Sequence, residues 1–157
     1  RPAPSDVNFQ TESFDAWERD GGALFEAHCV QVGEAPQNWK RKNIPLMRKL
    51  YEAGNLQVMT ARSNGRMFGY LMTVMSPSLE SEHLKVAVHT TFFASPEFPG
   101  LGMKLQRAAL VKLKEQGIDE VFMQAGVRGS GERIGAIYRR LGAESAGQMF
   151  KLNLAEA

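Results

Sequence analysis

Near its middle the chain reads Ser95-Pro96-Glu97-Phe98-Pro99-Gly100-Leu101-Gly102-Met103-Lys104. The two glycines stand where an apolar strand pattern stops and an apolar helical stripe begins. Glycine lets a ligand reach the backbone, and the first turn of a helix carries N–H donors without intrahelical acceptors at the positive end of the helix dipole. Lys104 adds a charge, and the combination suits a phosphate. It equally suits an ordinary turn before a helix, and Pro96 with Pro99 matches the common PxxP spacing. The elements on either side decide between these readings.

Upstream, Leu84, Val86, Val88, Thr90 and Phe92 alternate with Lys85, Ala87, His89, Thr91 and Phe93, the pattern of a strand that ends at Ser95-Pro96. Downstream, Leu105, Ala109 and Leu113 form one stripe of a helix from about Gly102 to Gln116, and Gly117 separates it from a strand over Ile118 to Ala125. A strand, helix, strand unit crosses right-handedly, so the strand of Phe92 and Phe93 should run parallel to that of Val121 and Phe122. Earlier, strands over Leu56 to Arg62 and Met67 to Met75 flank Ser63-Asn64-Gly65-Arg66, where Asn-Gly suits a type I′ hairpin turn.

Two helices precede the hairpin. One starts after the N-cap Ser13, carries Phe14, Trp17, Leu24, Phe25, His28 and Val32 at helical spacing, and should bend at Gly21-Gly22. The other opens at Asn43-Ile44-Pro45, continues through Met47, Leu50 and Tyr51, and stops at Gly54. Residues 1–12 are expected as an extended strand or arm. At the other end, Ile134, Ile137, Tyr138 and Leu141 share a helix face, Gly142 stops that helix, and Phe150, Leu152 and Leu154 alternate in a last strand. The order ααβββαβαβ predicts an α/β, or mixed α+β, domain over 1–157, with a mostly antiparallel sheet, one parallel pair and flanking helices.

At 157 residues, 43% hydrophobic and 23% charged, the chain is long enough for a full core. Cys29 is the single cysteine, so no internal disulfide is available and a reducing, cytoplasmic setting is the expectation. Arg1 to Pro4 has neither an initiator methionine nor a signal-peptide pattern, and the expectation is a chain trimmed from a longer product. No stretch approaches the ~18 apolar residues of a membrane span. With 19 Lys and Arg against 17 Asp and Glu, the net charge of +2 disfavours an obligatory nucleic-acid or anionic-membrane partner. The basic run Lys40-Arg41-Lys42 reads first as a solvated face; beside Trp39 it is the one feature a nucleic-acid-directed protein would use.

Competing chemistries fail on spacing. No G-x-x-x-x-G-K-[ST] loop occurs, and Gly129-Ser130-Gly131 with Gly135 is followed by too little chain for a dinucleotide fold. His83 and His89 lie roughly 20 Å apart along a strand and His28-Cys29 has no spaced partner, so no metal is expected.

Glu97-Phe98-Pro99-Gly100-Leu101-Gly102 resembles the pyrophosphate loop [QR]-x-x-G-x-[GA] of the GNAT superfamily of acyl-CoA-dependent N-acyltransferases. Ala136-Ile137-Tyr138-Arg139-Arg140-Leu141-Gly142 resembles the family's later tyrosine helix with its leucine-glycine ending, and the element order matches over most of the chain. Glu97 replaces the usual glutamine or arginine and is expected to face solvent, Ala143 replaces a phenylalanine, and Ser130 with Gly131 stands where the family often has asparagine. The Leu105 to Ala109 helix is similar to GNAT members encoded by tailed phages, which would place the protein in a bacterial or phage-infected bacterial cell.

The resemblance implies that the two parallel strands splay and that acetyl-CoA is the cosubstrate. Its pantetheine would lie against Phe92, Phe93 and Ala94, and its pyrophosphate against Gly100, Leu101, Gly102, Met103 and Lys104. The implied reaction is acetyl transfer to a primary amine of a small molecule or protein, the amine-bearing acceptor being unidentified. Tyr138 is the candidate acid for the departing thiolate, and a backbone N–H near Phe93 or Ala94 the candidate oxyanion donor. A lysine-type amine is mostly protonated at neutral pH, so a base is sought among His89, His83, Glu82 and Glu80. The acceptor site should be shaped by Trp17 to Trp39 and Pro77 to Glu82, with Glu80 and Glu82 suiting a cationic amine. A homodimer is compatible with this reading. Two other classes stay open: an inactive GNAT-fold binding or virion-associated module, and the nucleic-acid-directed protein.

Overall fold

A computed structural model describes residues 6–125 and 131–156. The elements run β1 (Asn8–Thr11), α1 (Phe14–Asp20), α2 (Gly22–Gln31), a 3₁₀ turn (Pro36–Arg41), α3 (Ile44–Glu52), β2 (Leu56–Ser63), β3 (Arg66–Pro77), β4 (Lys85–Ala94), α4 (Leu101–Glu115), β5 (Glu120–Phe122) and α5 (Gly131–Arg140). The five strands lie in the order β1-β2-β3-β4-β5. Every neighbouring pair is antiparallel except β4 with β5, which is parallel as the crossover through α4 requires.

Local chemistry sets several boundaries. Ser13 accepts the Ala16 N–H at 3.2 Å at the start of α1, and Asn43 accepts that of Leu46 at 3.2 Å at the start of α3, satisfying amides the helices leave unpaired. Asn64 and Gly65 both adopt positive φ, 50° and 79°, as a type I′ turn demands between β2 and β3.

Both faces of the sheet are covered, so β2 is buried over almost its whole length and shows none of the alternation of a half-exposed strand. On one face Phe14, Trp17, Phe25, Tyr70, Met72 and Phe93 pack together beneath the N-terminal helices. On the other, Met59, Ala61, Phe68 and Leu71 meet Leu101, Leu105 and Ala109 of α4. The Trp17 and Phe25 ring centroids are 4.6 Å apart across the α1–α2 junction. That approach requires Gly21: a Cβ there would lie 2.6 Å from the Trp17 carbonyl oxygen and 2.7 Å from the Phe25 ring. The bend expected at Gly21-Gly22 is thus a break into two helices.

The extended segment expected within residues 1–12 includes β1, which pairs with β2 from Asn8 to Thr11. The sequence order is corrected at two places. The strand expected over Ile118 to Ala125 shrinks to three residues, because only Glu120 to Phe122 find partners on β4. The last strand is absent: Phe150, Leu152 and Leu154 pair with nothing among the described residues and are 86%, 75% and 77% exposed. Alternation marks a capacity for pairing, and here no neighbouring strand edge takes it up. Ser130, and with it most of the glycine pattern at Gly129-Ser130-Gly131, lies outside the described residues. Among those described, no helix is long and apolar enough to cross a membrane.

Trp17 is fully buried and Leu79 fully exposed. Trp17→Ala should therefore lower unfolding free energy by about 3–5 kcal/mol, whereas Leu79→Ala should change it by less than about 0.5 kcal/mol, as read from urea denaturation midpoints.

Candidate active site

β4 and β5 share only three residue pairs, Val86 with Glu120, Ala87 with Val121 and Val88 with Phe122, and then part. From His89 to Ala94, β4 pairs with β3 alone, leaving its other edge open. A bulge sits where the opening begins. Thr73 of β3 pairs with His89 and Met72 with Thr91, so Thr90 is the extra residue, its hydroxyl donating to the Met72 carbonyl at 3.3 Å. An inserted residue re-aims the side chains beyond it. His89 joins Thr73 on the α4 face of the sheet, whereas Phe93 lies with Tyr70 on the α1–α2 face. The unbroken alternation expected for this strand is corrected accordingly.

The opening is a cleft with three walls: His89 to Phe92 of β4, Gln124, Ala125 and Tyr138 from β5's exit and α5, and His28 with Gln31 of α2. The glycine turn follows β4, with Gly102 next to the Phe92 ring that lines the cleft. Gly100 takes φ of 78° and starts α4. Leu101 N–H donates to Phe98 O at 3.1 Å and Lys104 N–H to Gly100 O at 3.2 Å. The amides of Gly102 and Met103 have no backbone acceptor among the described residues. A Cβ on Gly102 would meet the Phe92 ring at 3.1 Å, Ala94 Cβ at 3.7 Å and Ile137 at 3.8 Å, so the helix start is pressed between β4 and α5. Donor amides beside an open strand edge fit a phosphate followed by an amide-bearing arm.

Of the residues expected to hold such a ligand, Gly102 and Met103 present free amides and Lys104 is exposed beside them. Leu101 is different: its side chain is in the core and its amide is already used. Phe93 is likewise buried and does not line the cleft, its backbone being turned toward Tyr70 of β3, while half-buried Phe92 contacts the glycine position. Glu97 is exposed, as expected.

Tyr138, His89 and His28 line the cleft together with Arg133 of α5. Tyr138, 8% exposed, donates its hydroxyl to the Gln124 carbonyl at 3.2 Å, and burial pushes its phenol up to about 12. His89 Nδ1 is 2.8 Å from Thr73 Oγ1, and its Nε2 is buried without a hydrogen-bond partner. Burial lowers that imidazole to about 4, and the Gln106 side chain of α4, within hydrogen-bonding reach of the ring though without ideal geometry, opposes the shift. His28 Nδ1 is 2.7 Å from Tyr70 Oη, and its ring lies 5.6 Å from that of Phe93. Burial, reinforced by Lys42 and opposed by Glu34, brings it to about 4 as well.

Other expected residues stand apart. Glu80, Glu82 and His83 are exposed in the turn before β4, at the end remote from the opening, and none lines the cleft. Glu82 is therefore corrected: the strand that carries His89 into the cleft runs away from that turn. Trp39, beside Lys40 to Lys42, is partly buried and packs against Phe25 of the core, ring centroids 5.6 Å apart. The sequence reading placed His28 only on an apolar helix face; its pairing with Tyr70, 42 positions away, exists only once α2 covers β3.

No protein-family model and no curated protein matches the sequence. Solved structures do match. One is an aminoglycoside acetyltransferase from an uncultured soil metagenomic sample, in complex with trehalose, at 21% identity and TM-score 0.70, covering 96% of this chain and 97% of that one. A predicted acetyltransferase with acetyl-CoA from Clostridium acetobutylicum matches at 14% identity and TM-score 0.74, covering 96% and 98%. A GCN5-related N-acetyltransferase from Ralstonia eutropha JMP134 matches at 16% identity and TM-score 0.72, covering 94% and 98%. The chain has the GNAT fold. A phage origin finds no support in these likenesses.

Both histidines titrate lower in the folded chain than their ordinary value of 6.5, so the unfolded chain binds more protons between about pH 6.5 and about pH 4. Stability should be unaffected by them above that window, fall as pH drops through it, and level off below it. Chemical denaturation across this range should show the loss, with a shallower slope in His89→Leu.

Proposed function

We propose that this protein moves the acetyl group of acetyl-CoA onto a primary amine of a small molecule or protein. The observation that carries the proposal is the open edge of β4 from His89 to Ala94, facing Tyr138 across the cleft and ending at the free amides of α4. The GNAT fold, shared with a structure that holds acetyl-CoA, supports the same donor.

When bound, acetyl-CoA supplies an activated thioester. Gly102 and Met103 would direct their N–H groups to its pyrophosphate, with Lys104 adding charge and Glu97 turned to solvent. The free edge of β4 at Phe92 and Ala94, whose backbone groups alternate outward while those of Phe93 face β3, would pair with the amides of the arm and draw the acyl end toward the Thr90 bulge. Tyr138 keeps its proton throughout the neutral range, and its hydroxyl, given to the Gln124 carbonyl in the empty cleft, would have to turn from that carbonyl to reach the sulfur. As the amine nitrogen bonds to the acetyl carbon and the carbon–sulfur bond breaks, the phenolic hydrogen passes to sulfur. The surplus proton on nitrogen leaves to water, which restores the phenol. The acceptor would enter from the α2 side, past His28 and Gln31.

Calorimetric titration with acetyl-CoA, and separately with CoA, should give micromolar binding that Gly102→Glu abolishes without unfolding the protein. Absence of binding at millimolar ligand would leave the fold as a scaffold without this activity. Tyr138→Phe should lower kcat by about 10²- to 10⁴-fold while acetyl-CoA affinity is retained.

A further inference from the structure

The apolar side chains that the fold leaves in water are not scattered evenly. Met149, Phe150, Leu152 and Leu154 follow α5 within a short stretch, and each is exposed by about three quarters or more. Isolated exposed apolar residues are ordinary, but a run of them marks a contact surface. Phe150, Leu152 and Leu154 alternate with Lys151 and Asn153, so an extended chain here has one apolar face, and Met149 adds a large apolar side chain to the start of the other.

A surface that matches this segment lies on the same chain. β5 is the last strand of the sheet and pairs only with β4 among the described residues, so its outer edge carries N–H and C=O groups without a strand partner. The β4–β5 pairs fix what each face of that edge offers. Val121 sits beside Ala87, which shares the α4 face with His89, and there a groove of about 460 Å³ runs along β5, walled by Leu110, Leu113, Gly117, Ile118 and Val121. Phe122 sits beside Val88 on the opposite face, and both are exposed. Glu120 shares that second face and is exposed as well.

We propose that residues 149–154 of one copy add as an antiparallel strand to the outer edge of β5 in a second copy, and reciprocally, making the protein a strand-exchanged dimer. With Lys151 opposite Glu120 the contact is complementary in charge, Phe150 and Leu154 lie over the groove opposite Val121 and Gly117, and Met149 covers Phe122 beside Val88. A slip of one residue would turn Phe150, Leu152 and Leu154 away from the groove, so the apolar pattern selects the register. The occupant is a second copy because in the single chain this segment pairs with no strand and its own β5 stays bare, while both complementary surfaces belong to this one sequence. Exchange about a two-fold axis fills both edges and closes at two chains. Two added segments and two receiving edges remove on the order of 1,600 Å² from water, the size of a stable interface. The inference is independent of the acetyl-transfer reading.

Light scattering of the protein at micromolar concentration should give twice the 17.4 kDa of one chain. Phe150→Asp combined with Leu152→Asp should raise the dissociation constant of the dimer by at least about 100-fold. Both side chains are exposed in the single chain, so this variant should keep the wild-type circular dichroism spectrum. Co-expression of Glu120→Cys with Lys151→Cys tests the pairing itself: opposed positions on neighbouring strands lie within disulfide reach, so a covalent dimer should form from the pair and from neither variant alone. Cys29 is buried in both. A monomer in light scattering overturns the inference, and so does a dimer that the two aspartates leave intact. A dimer that gives no covalent link between the two cysteine variants overturns it as well. If the Glu120→Cys, Lys151→Cys double variant is a monomer with its disulfide inside one chain, the segment folds back on its own β5 and the inference fails.

Discussion

The constraint on which the site depends is the parting of β4 and β5 after three residue pairs. Backbone N–H and C=O groups are seldom left unpaired inside a protein, and an open strand edge is a place for another chain or ligand to complete. Here the opening is maintained from both sides. β4 is held along its length by β3, with the Thr90 bulge turning its direction, and β5 is too short to follow it. α5 then packs beside α4, where Ile137 lies against the Gly102 position, so the gap keeps its second wall at a distance from β4.

Burial governs the chemistry of that gap. The same packing that excludes water from Trp17, Tyr70 and Leu105 also surrounds Thr73, His89 and Gln106. In such surroundings charged imidazole is disfavoured, phenols keep their protons, and hydroxyls must find an acceptor. The result is a wall of neutral hydrogen-bonding groups, with charge left to Lys104 at the glycine turn and Arg133 on α5. Glu80 and Glu82, which would have suited a cationic amine, lie in the turn before β4, at the end of that strand remote from the opening.

The same fold at 14% to 21% identity illustrates how little of a sequence such an architecture prescribes. Cores tolerate exchange of apolar residues where volume and pattern are kept. Positions with a backbone demand tolerate less: Gly100 at positive φ, Asn64-Gly65 in the hairpin, Gly102 between Phe92 and Ile137. These are also the positions from which the fold could be read, because a turn type or a helix start is a local event with a local cost.

The hairpin, the caps at Ser13 and Asn43, the α4 stripe and the parallel crossover were legible in the sequence because each depends on residues close in the chain or on the handedness of L-amino acids. Tyr138 and the glycine turn were legible by family resemblance. The tertiary structure alone decided the rest. Whether Phe150, Leu152 and Leu154 form a strand depends on a partner edge, and none receives them among the described residues. That Leu101 has no amide to offer, and that Glu82 is remote, depends on where neighbouring elements pack. Above all, His28 with Tyr70 and His89 with Thr73 are contacts across 42 and 16 positions. The residue types carry the capacity for hydrogen bonding and titration, but which partner meets which nitrogen, and how much water is excluded, are properties of the packed chain.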